Sequence, residues 1–289
     1  MARRAMTMPR ALVNGINLAY EVFGSGPPLL LIMGYRLNSR AWPPDFIDAL
    51  AERFTLIIFD NRGTGQSDKP SSGYALSNLA KDICGLLDHL EIERCHVLGY
   101  SMGGAVAQEL ACRYPERVQK LILCATLPGG QKSVYAGPAV VTVMRELVGL
   151  TPQEAARRIA TVTYAPSYLE ENRERVERQM HREIVDPTPL HAADLQFQAF
   201  VDFDASDALA GVRAPTLVMT GDQDRLIPPH NSRLLAELIP NARLVILPGL
   251  AHRALWEATE ACASLVANFL DDAGERQDEG LREARANAG

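Results

Sequence analysis

Six short runs of almost unbroken apolar residues constrain this chain most: LLLIM at 29–33, TLIIFD at 55–60, HVLGY at 96–100, KLILCAT at 120–126, TLVMTG at 216–221 and RLVILPG at 243–249. A strand with one face in water alternates apolar and polar residues. Strands that do not alternate must be covered on both faces, as in a parallel sheet sandwiched between helices. Helical patterns fall between the runs, at 43–53, 75–90, 102–114, 229–238 and 255–270. Strand–helix alternation of this kind predicts a doubly wound α/β fold with a mostly parallel, twisted sheet flanked by helices. Ahead of it, ALVNGINLAYEVF at 11–23 places Asn14-Gly15 between two β-type runs, which is a hairpin signal.

The alternation stops after the sixth strand. Residues 128–213 contain no buried-strand pattern and read as helices near 138–149, 152–162, 167–184 and 190–202. The expected organisation is a core in two parts, 1–127 and 214–270, with a helical insertion at 128–213 that covers the C-terminal edge of the sheet. The charged, small-residue segment 271–289 is expected to be a disordered tail without a chemical role.

Composition narrows the partners. The net charge of −6 lacks the basic footprint that a phosphate backbone requires, so nucleic acid is not expected. Cys84, Cys95, Cys112, Cys124 and Cys262 are odd in number and mostly inside apolar runs, which suits reduced, buried thiols. No CxxC occurs and no histidine clusters with a cysteine, so neither a metal nor a cofactor is expected. MARRAMTMPR is followed by no apolar signal core, and no run is long enough to span a bilayer. The expectation is a cytoplasmic protein without membrane contact, whose state as monomer or homo-oligomer the sequence leaves open.

The chemistry concentrates at Gly99-Tyr100-Ser101-Met102-Gly103-Gly104, placed between an apolar strand and the helical pattern AVAQELACRY. A serine on a tight strand-to-helix turn is lifted clear of the sheet, and glycines two residues to either side relieve the crowding of the turn. The helix N-terminus favours negative charge beside it. A serine hydroxyl is a weak nucleophile and needs a base that is oriented by an acid. His252 lies in a loop directly after the last strand and before the final helix. The other histidines sit in helical patterns or, as His96, at the start of a strand. Two aspartates compete after TLVMTG. Asp222 at the strand end suits a turn, whereas Asp224, further into the loop, is favoured as the acid.

These residues carry a resemblance. With Asp60-Asn61-Arg62-Gly63-Thr64-Gly65-Gln66-Ser67 matching the pattern D-x-R-G-x-G-x-S, the sequence resembles the α/β-hydrolase superfamily over about residues 12–270. Within it the chain is similar to the serine esterase, lactonase and perhydrolase-like members that carry a helical lid after the sixth strand. The resemblance implies a Ser101–His252–Asp224 triad and an oxyanion hole made by the backbone N–H groups of Met102 and Tyr35. Met33 stands where the family usually has histidine. A serine nucleophile, in place of the aspartate of epoxide hydrolases and haloalkane dehalogenases, implies an acyl substrate, here an uncharged carboxylic ester or lactone cleaved through an acyl-enzyme. Carbon–carbon bond hydrolase and perhydrolase or haloperoxidase-like activity are the alternatives, followed by a non-catalytic binding protein on the same fold. Trp42, Tyr164, Phe197 and Phe200 are candidate substrate-binding residues, with Tyr135, Met144 and Tyr168 in the same inserted stretch and Trp256 beside the histidine loop. For each inserted residue singly, ordinary packing is the better explanation of an aromatic or methionine in these places, and Trp42 and Trp256 either wall the site or belong to the core.

Overall fold

The structure, a computed structural model, describes residues 7–147 and 149–272, with the side chains of Met144 and Arg145 excluded. The chain begins with strands β1 (Arg10–Val13) and β2 (Ile16–Gly24), antiparallel in register Val13 to Ile16. Asn14 and Gly15 between them both have positive φ, 45° and 78°. That is the backbone a two-residue hairpin turn of right-handed twist demands, and Asn-Gly accepts it at low cost. Then follow β3 (Pro28–Ile32), α1 (Pro44–Ala51), β4 (Thr55–Phe59), α2 (Leu76–His89), β5 (Cys95–Tyr100), α3 (Met102–Arg113) and β6 (Val118–Cys124).

Between β6 and the next strand the described residues form the α-helices α4 (Pro138–Arg145), α5 (Pro152–Thr163), α6 (Pro166–Glu171), α7 (Arg173–Glu183) and α8 (Leu190–Val201). The described residues continue with β7 (Thr216–Gly221), α9 (His230–Leu238), β8 (Arg243–Leu247), α10 (Ala254–Glu257) and α11 (Thr259–Asp271).

Among the described residues eight strands form one sheet in the order β1-β2-β4-β3-β5-β6-β7-β8, antiparallel at β1 and β2 and parallel from β4 to β8. Alternate residues of each central strand enter opposite cores. Leu30, Ile32, Ile57, Val97 and Leu121 pack with α2, α3 and α9, whereas Leu29, Leu31, Ile58, Leu98 and Ile122 pack with α1 and α11. The apolar runs of β3, β4 and β5 thereby serve both cores, which is why these strands carry no alternation.

Two helices differ from the sequence expectation. The pattern at 167–184 is divided into α6 and α7 at Asn172, which leaves helical backbone at φ −123°, ψ 30°. The final pattern at 255–270 is divided at Ala258, with φ −129°, ψ 58°. The expected tail at 271–289 and the start MARRAM lie, apart from Asp271 and Asp272, outside the described residues. Among the described residues no helix is long and apolar enough to cross a membrane.

The strand order reverses direction between β3 and β5. At such a switch point the loops leaving the two strands diverge to opposite sides and open a crevice at their C-terminal ends. Gly34 leaves β3 there and Ser101 leaves β5.

Candidate active site

Ser101 occupies a strained turn. Its φ of 56° and ψ of −124° lie where residues with a β-carbon are seldom found. The neighbouring strand holds it there, since the Ser101 amide donates to the Cys124 carbonyl at 2.9 Å while the Ser101 carbonyl accepts from the Gly104 amide at 2.8 Å. The flanking glycines are required by contact. A β-carbon on Gly103 would stand 2.1 Å from the Ile32 carbonyl oxygen, and one on Gly99 would stand 2.4 Å from that of Gly103.

His252 and Asp224 come to this turn from the loops after β8 and β7. His252 Nδ1 lies 2.8 Å from Asp224 Oδ2, and His252 Nε2 lies 3.2 Å from Ser101 Oγ. A carboxylate can only accept, so the imidazole proton belongs on Nδ1, which leaves the Nε2 lone pair facing the serine hydroxyl. Asp224 is oriented by the amides of Leu226 and Ile227, which donate to Oδ1 at 3.0 and 2.8 Å. Asp222 points elsewhere and accepts from the Gly249 amide at 2.8 Å, tying the two loops together. The three groups are buried, and the Tyr100 ring lies against the imidazole at 5.2 Å between centroids. Burial pushes the Tyr100 hydroxyl far above its ordinary pKa, so this ring is a neutral wall behind the base.

The segment after β3 adjoins the serine. Gly34 packs directly on Ser101 and Tyr100, and the Met33 carbonyl accepts from the buried Asn61 amide group at 3.0 Å. Asn61 thus fastens the strand end that Met33 occupies. Tyr35 follows Gly34, and Met102 opens α3, where first-turn amides have no partner inside the helix. Their N–H groups are the expected oxyanion donors.

Further residues brace this loop that no sequence motif announces. Gln196 of α8 is wholly buried; it accepts from the Arg36 amide at 3.1 Å and donates to the Arg62 carbonyl at 2.9 Å. Thr188 donates to the Arg36 carbonyl at 2.8 Å, and Asn38 donates to the Val185 carbonyl at 2.8 Å. The turn from Asp60 to Ser67 supports the same region. Asp60 accepts from the amides of Ser39 and Gln66 at 2.8 and 2.7 Å, and Arg62 makes a two-point pair with buried Asp82 at 2.9 and 2.7 Å. A glutamine on a helix carries no signal of such a role, whereas the turn motif was readable.

The candidate pocket aromatics divide. Trp42 is 1% exposed, stacks on Phe46 and meets Tyr100 edge-on, so it packs the core behind the elbow. Tyr164 is 2% exposed and lies between Tyr168 and the Arg253 guanidinium. Phe200 is half-buried against the α2–α3 core. Phe197 is 53% exposed and touches the Tyr35 ring, 6.0 Å between centroids. Tyr135 is exposed, Tyr168 donates to the Trp256 carbonyl, and the Met144 side chain lies outside the described residues.

A buried serine thus lies in hydrogen-bond contact with a histidine at the switch point of the sheet. The model of the alpha/beta hydrolase fold family matches residues 27–259. The chain belongs to that family and is a hydrolase. It is 31% identical over 247 residues to a putative carbamate hydrolase, RutD, of Azorhizobium caulinodans, covering 85% of this chain and 91% of the relative. It is 34% identical over 249 residues to a poly(3-hydroxyalkanoate) depolymerase of Ectopseudomonas oleovorans, covering 86% of each. Among solved structures, an enol-lactonase from Burkholderia xenovorans superposes with a TM-score of 0.79 at 27% identity, over 91% of this chain and all of that one.

Proposed function

We propose that the protein is a serine hydrolase that cleaves a carboxylic ester or lactone through an acyl-enzyme. The observation that carries this reading is the hydrogen-bonded line from Asp224 through His252 to Ser101, 2.8 and 3.2 Å long. As Ser101 Oγ attacks the carbonyl carbon, its proton passes to His252 Nε2, and Asp224 stabilises the imidazolium that forms. The oxyanion is held by the Met102 and Tyr35 amides. The carbon–oxygen bond then breaks, and the leaving alcohol takes the proton from Nε2. Water attacks the acyl-enzyme with His252 again accepting a proton, and Ser101 departs with it.

The inserted helices serve as a cap, and Gln196 and Thr188 support this by binding the loop that carries Tyr35. The enol-lactonase and depolymerase similarities agree with an ester-type bond. Turnover of p-nitrophenyl acetate tests the reading, with fluorophosphonate labelling located by mass spectrometry. The expected result is turnover and a label on Ser101, both lost in Ser101→Ala. Full turnover by Ser101→Ala would overturn it.

A further inference from the structure

Two residues that follow His252, Arg253 and Glu257, carry side chains that reach the inserted helices. Arg253, next in the chain, is 6% exposed, although a guanidinium normally seeks water. It pairs at two points with Glu183 at the C-terminal end of α7, with Nη2 2.9 Å from Oε2 and Nη1 on Oε1. The rings of Tyr164 and Trp256 lie 5.1 and 5.0 Å from its guanidinium carbon. Its backbone amide donates to the Thr163 carbonyl at the end of α5, at 3.0 Å. Glu183 is itself held, accepting from Gln179, which also donates to the Ala41 carbonyl.

On the other side, Glu257 accepts from the Ala251 amide at 2.9 Å and, with its second oxygen, from the Ala165 amide at 2.7 Å. The backbone after His252 is therefore tied directly to the stretch 163–183, and the backbone before it is tied there through Glu257. Asp224 and Ser101 contact the imidazole ring alone and leave its backbone uncontrolled.

We infer that Arg253, with Glu183, and Glu257 are positioning residues that fasten the backbone on both sides of His252 to the inserted helices and so hold its ring on the Asp224–Ser101 line. The inference rests on the serine-hydrolase reading above. A charge this deeply buried and already paired at two points with a carboxylate is poorly suited to hold a substrate anion. Its two-point geometry suits orientation, since a planar fork fixes direction as well as distance. Misplacement of a catalytic group by about 1 Å costs about 10²-fold in rate, so a clamp of this kind has leverage on kcat without touching substrate.

The test uses the full-length protein and the p-nitrophenyl acetate assay. Arg253→Met combined with Glu183→Leu removes both charges together and leaves neither stranded, an exchange that buried pairs often tolerate. Arg253→Lys keeps the charge and loses the fork. The expected result for the double variant is a Tm close to the parent's, a KM within about twofold, and a kcat reduced about 10- to 100-fold. Fluorophosphonate labelling of Ser101 should slow by the same factor, because it depends on the same base. Arg253→Lys should fall between the parent and the double variant, and it carries the test alone if the double variant does not fold. Parental kcat and labelling rate in folded Arg253→Lys or in the folded double variant would overturn the inference. Failure of the serine-hydrolase reading is recognised separately, by turnover that survives Ser101→Ala in the parent background.

Discussion

Gly34 lies so close to Ser101 that a β-carbon on residue 34 would stand 3.0 Å from the serine Cβ and 3.2 Å from the Tyr100 carbonyl oxygen. The loop after β3 and the turn that carries Ser101 are thus in van der Waals contact at the switch point of the sheet. Any side chain at 34 must push one of them away. Gly34→Val is expected to lower kcat about 10²–10³-fold, the usual cost of a misdirected oxyanion donor. Tyr35→Phe keeps the amide and is expected to stay within a few-fold of the parent. Steady-state kinetics on both variants checks this. An equal loss in both would assign the role to the Tyr35 hydroxyl, and an unchanged kcat in folded Gly34→Val would place the second donor elsewhere.

The two aspartates of the β7 loop should separate by kinetics. Asp224→Asn keeps the shape but loses the acceptor for the Nδ1 proton, and it is expected to reduce kcat by about 10⁴-fold, as in other serine triads. Asp222→Ala removes only the bond from the Gly249 amide. Its expected cost is about 1 kcal/mol of stability, with kcat within a few-fold of the parent. A large kcat loss at Asp222 with Asp224→Asn unaffected would reverse the assignment.

Why Asp224 was readable and Gln196 was not follows from how each is used. The parallel strands declared themselves because burial on both faces leaves them few polar residues. Ser101, His252 and Asp224 stand at the ends of three such strands, so their order in the chain restricts where they meet. Asn14-Gly15 declared the hairpin through its two positive φ angles. The inserted helices lack such constraints. Asn172 ends α6 within the polar run EENRERVER, where nothing distinguishes a break from a solvated turn. The Arg253–Glu183 pair spans 70 residues of sequence and the Gln196 bonds span 134 and 160, and no local pattern encodes these. An arginine within the apolar stretch AHRALW was the one visible irregularity. Trp42 and Tyr164 show the converse, since aromatic residues near a site are as readily used to pack it as to line it.

Gln196 should matter to stability and to the loop it holds. It is wholly buried, and both ends of its amide are bonded to backbone groups of separate loops. Gln196→Leu leaves the Arg36 amide and the Arg62 carbonyl without this partner, at a cost of about 1–3 kcal/mol for each group that water cannot reach. Chemical denaturation is expected to show a loss of at least about 2 kcal/mol. Protection of the Arg36 amide in hydrogen exchange should fall along with it. Unaltered exchange at residue 36 would mean that the loop is held without Gln196.

His96 should set part of the acid stability. It is buried at the start of β5 with the Phe54 ring edge-on at 6.2 Å, and its Nδ1 has no hydrogen-bond partner. Burial first, and then the positive charges of Lys120 and Arg94, lower its pKa to about 4 from the ordinary 6.5. A histidine that resists protonation in the folded state is protonated first in the unfolded chain. Stability is therefore retained above about pH 6.5 and lost progressively as the pH falls towards about 4, by up to roughly 3 kcal/mol for this one group. His96→Phe removes the titration and keeps a ring against Phe54. Urea unfolding at pH 8 and at pH 4.5 should show a smaller acid loss in the variant than in the parent. An identical loss in both proteins would show that His96 is not the group whose protonation opposes the fold.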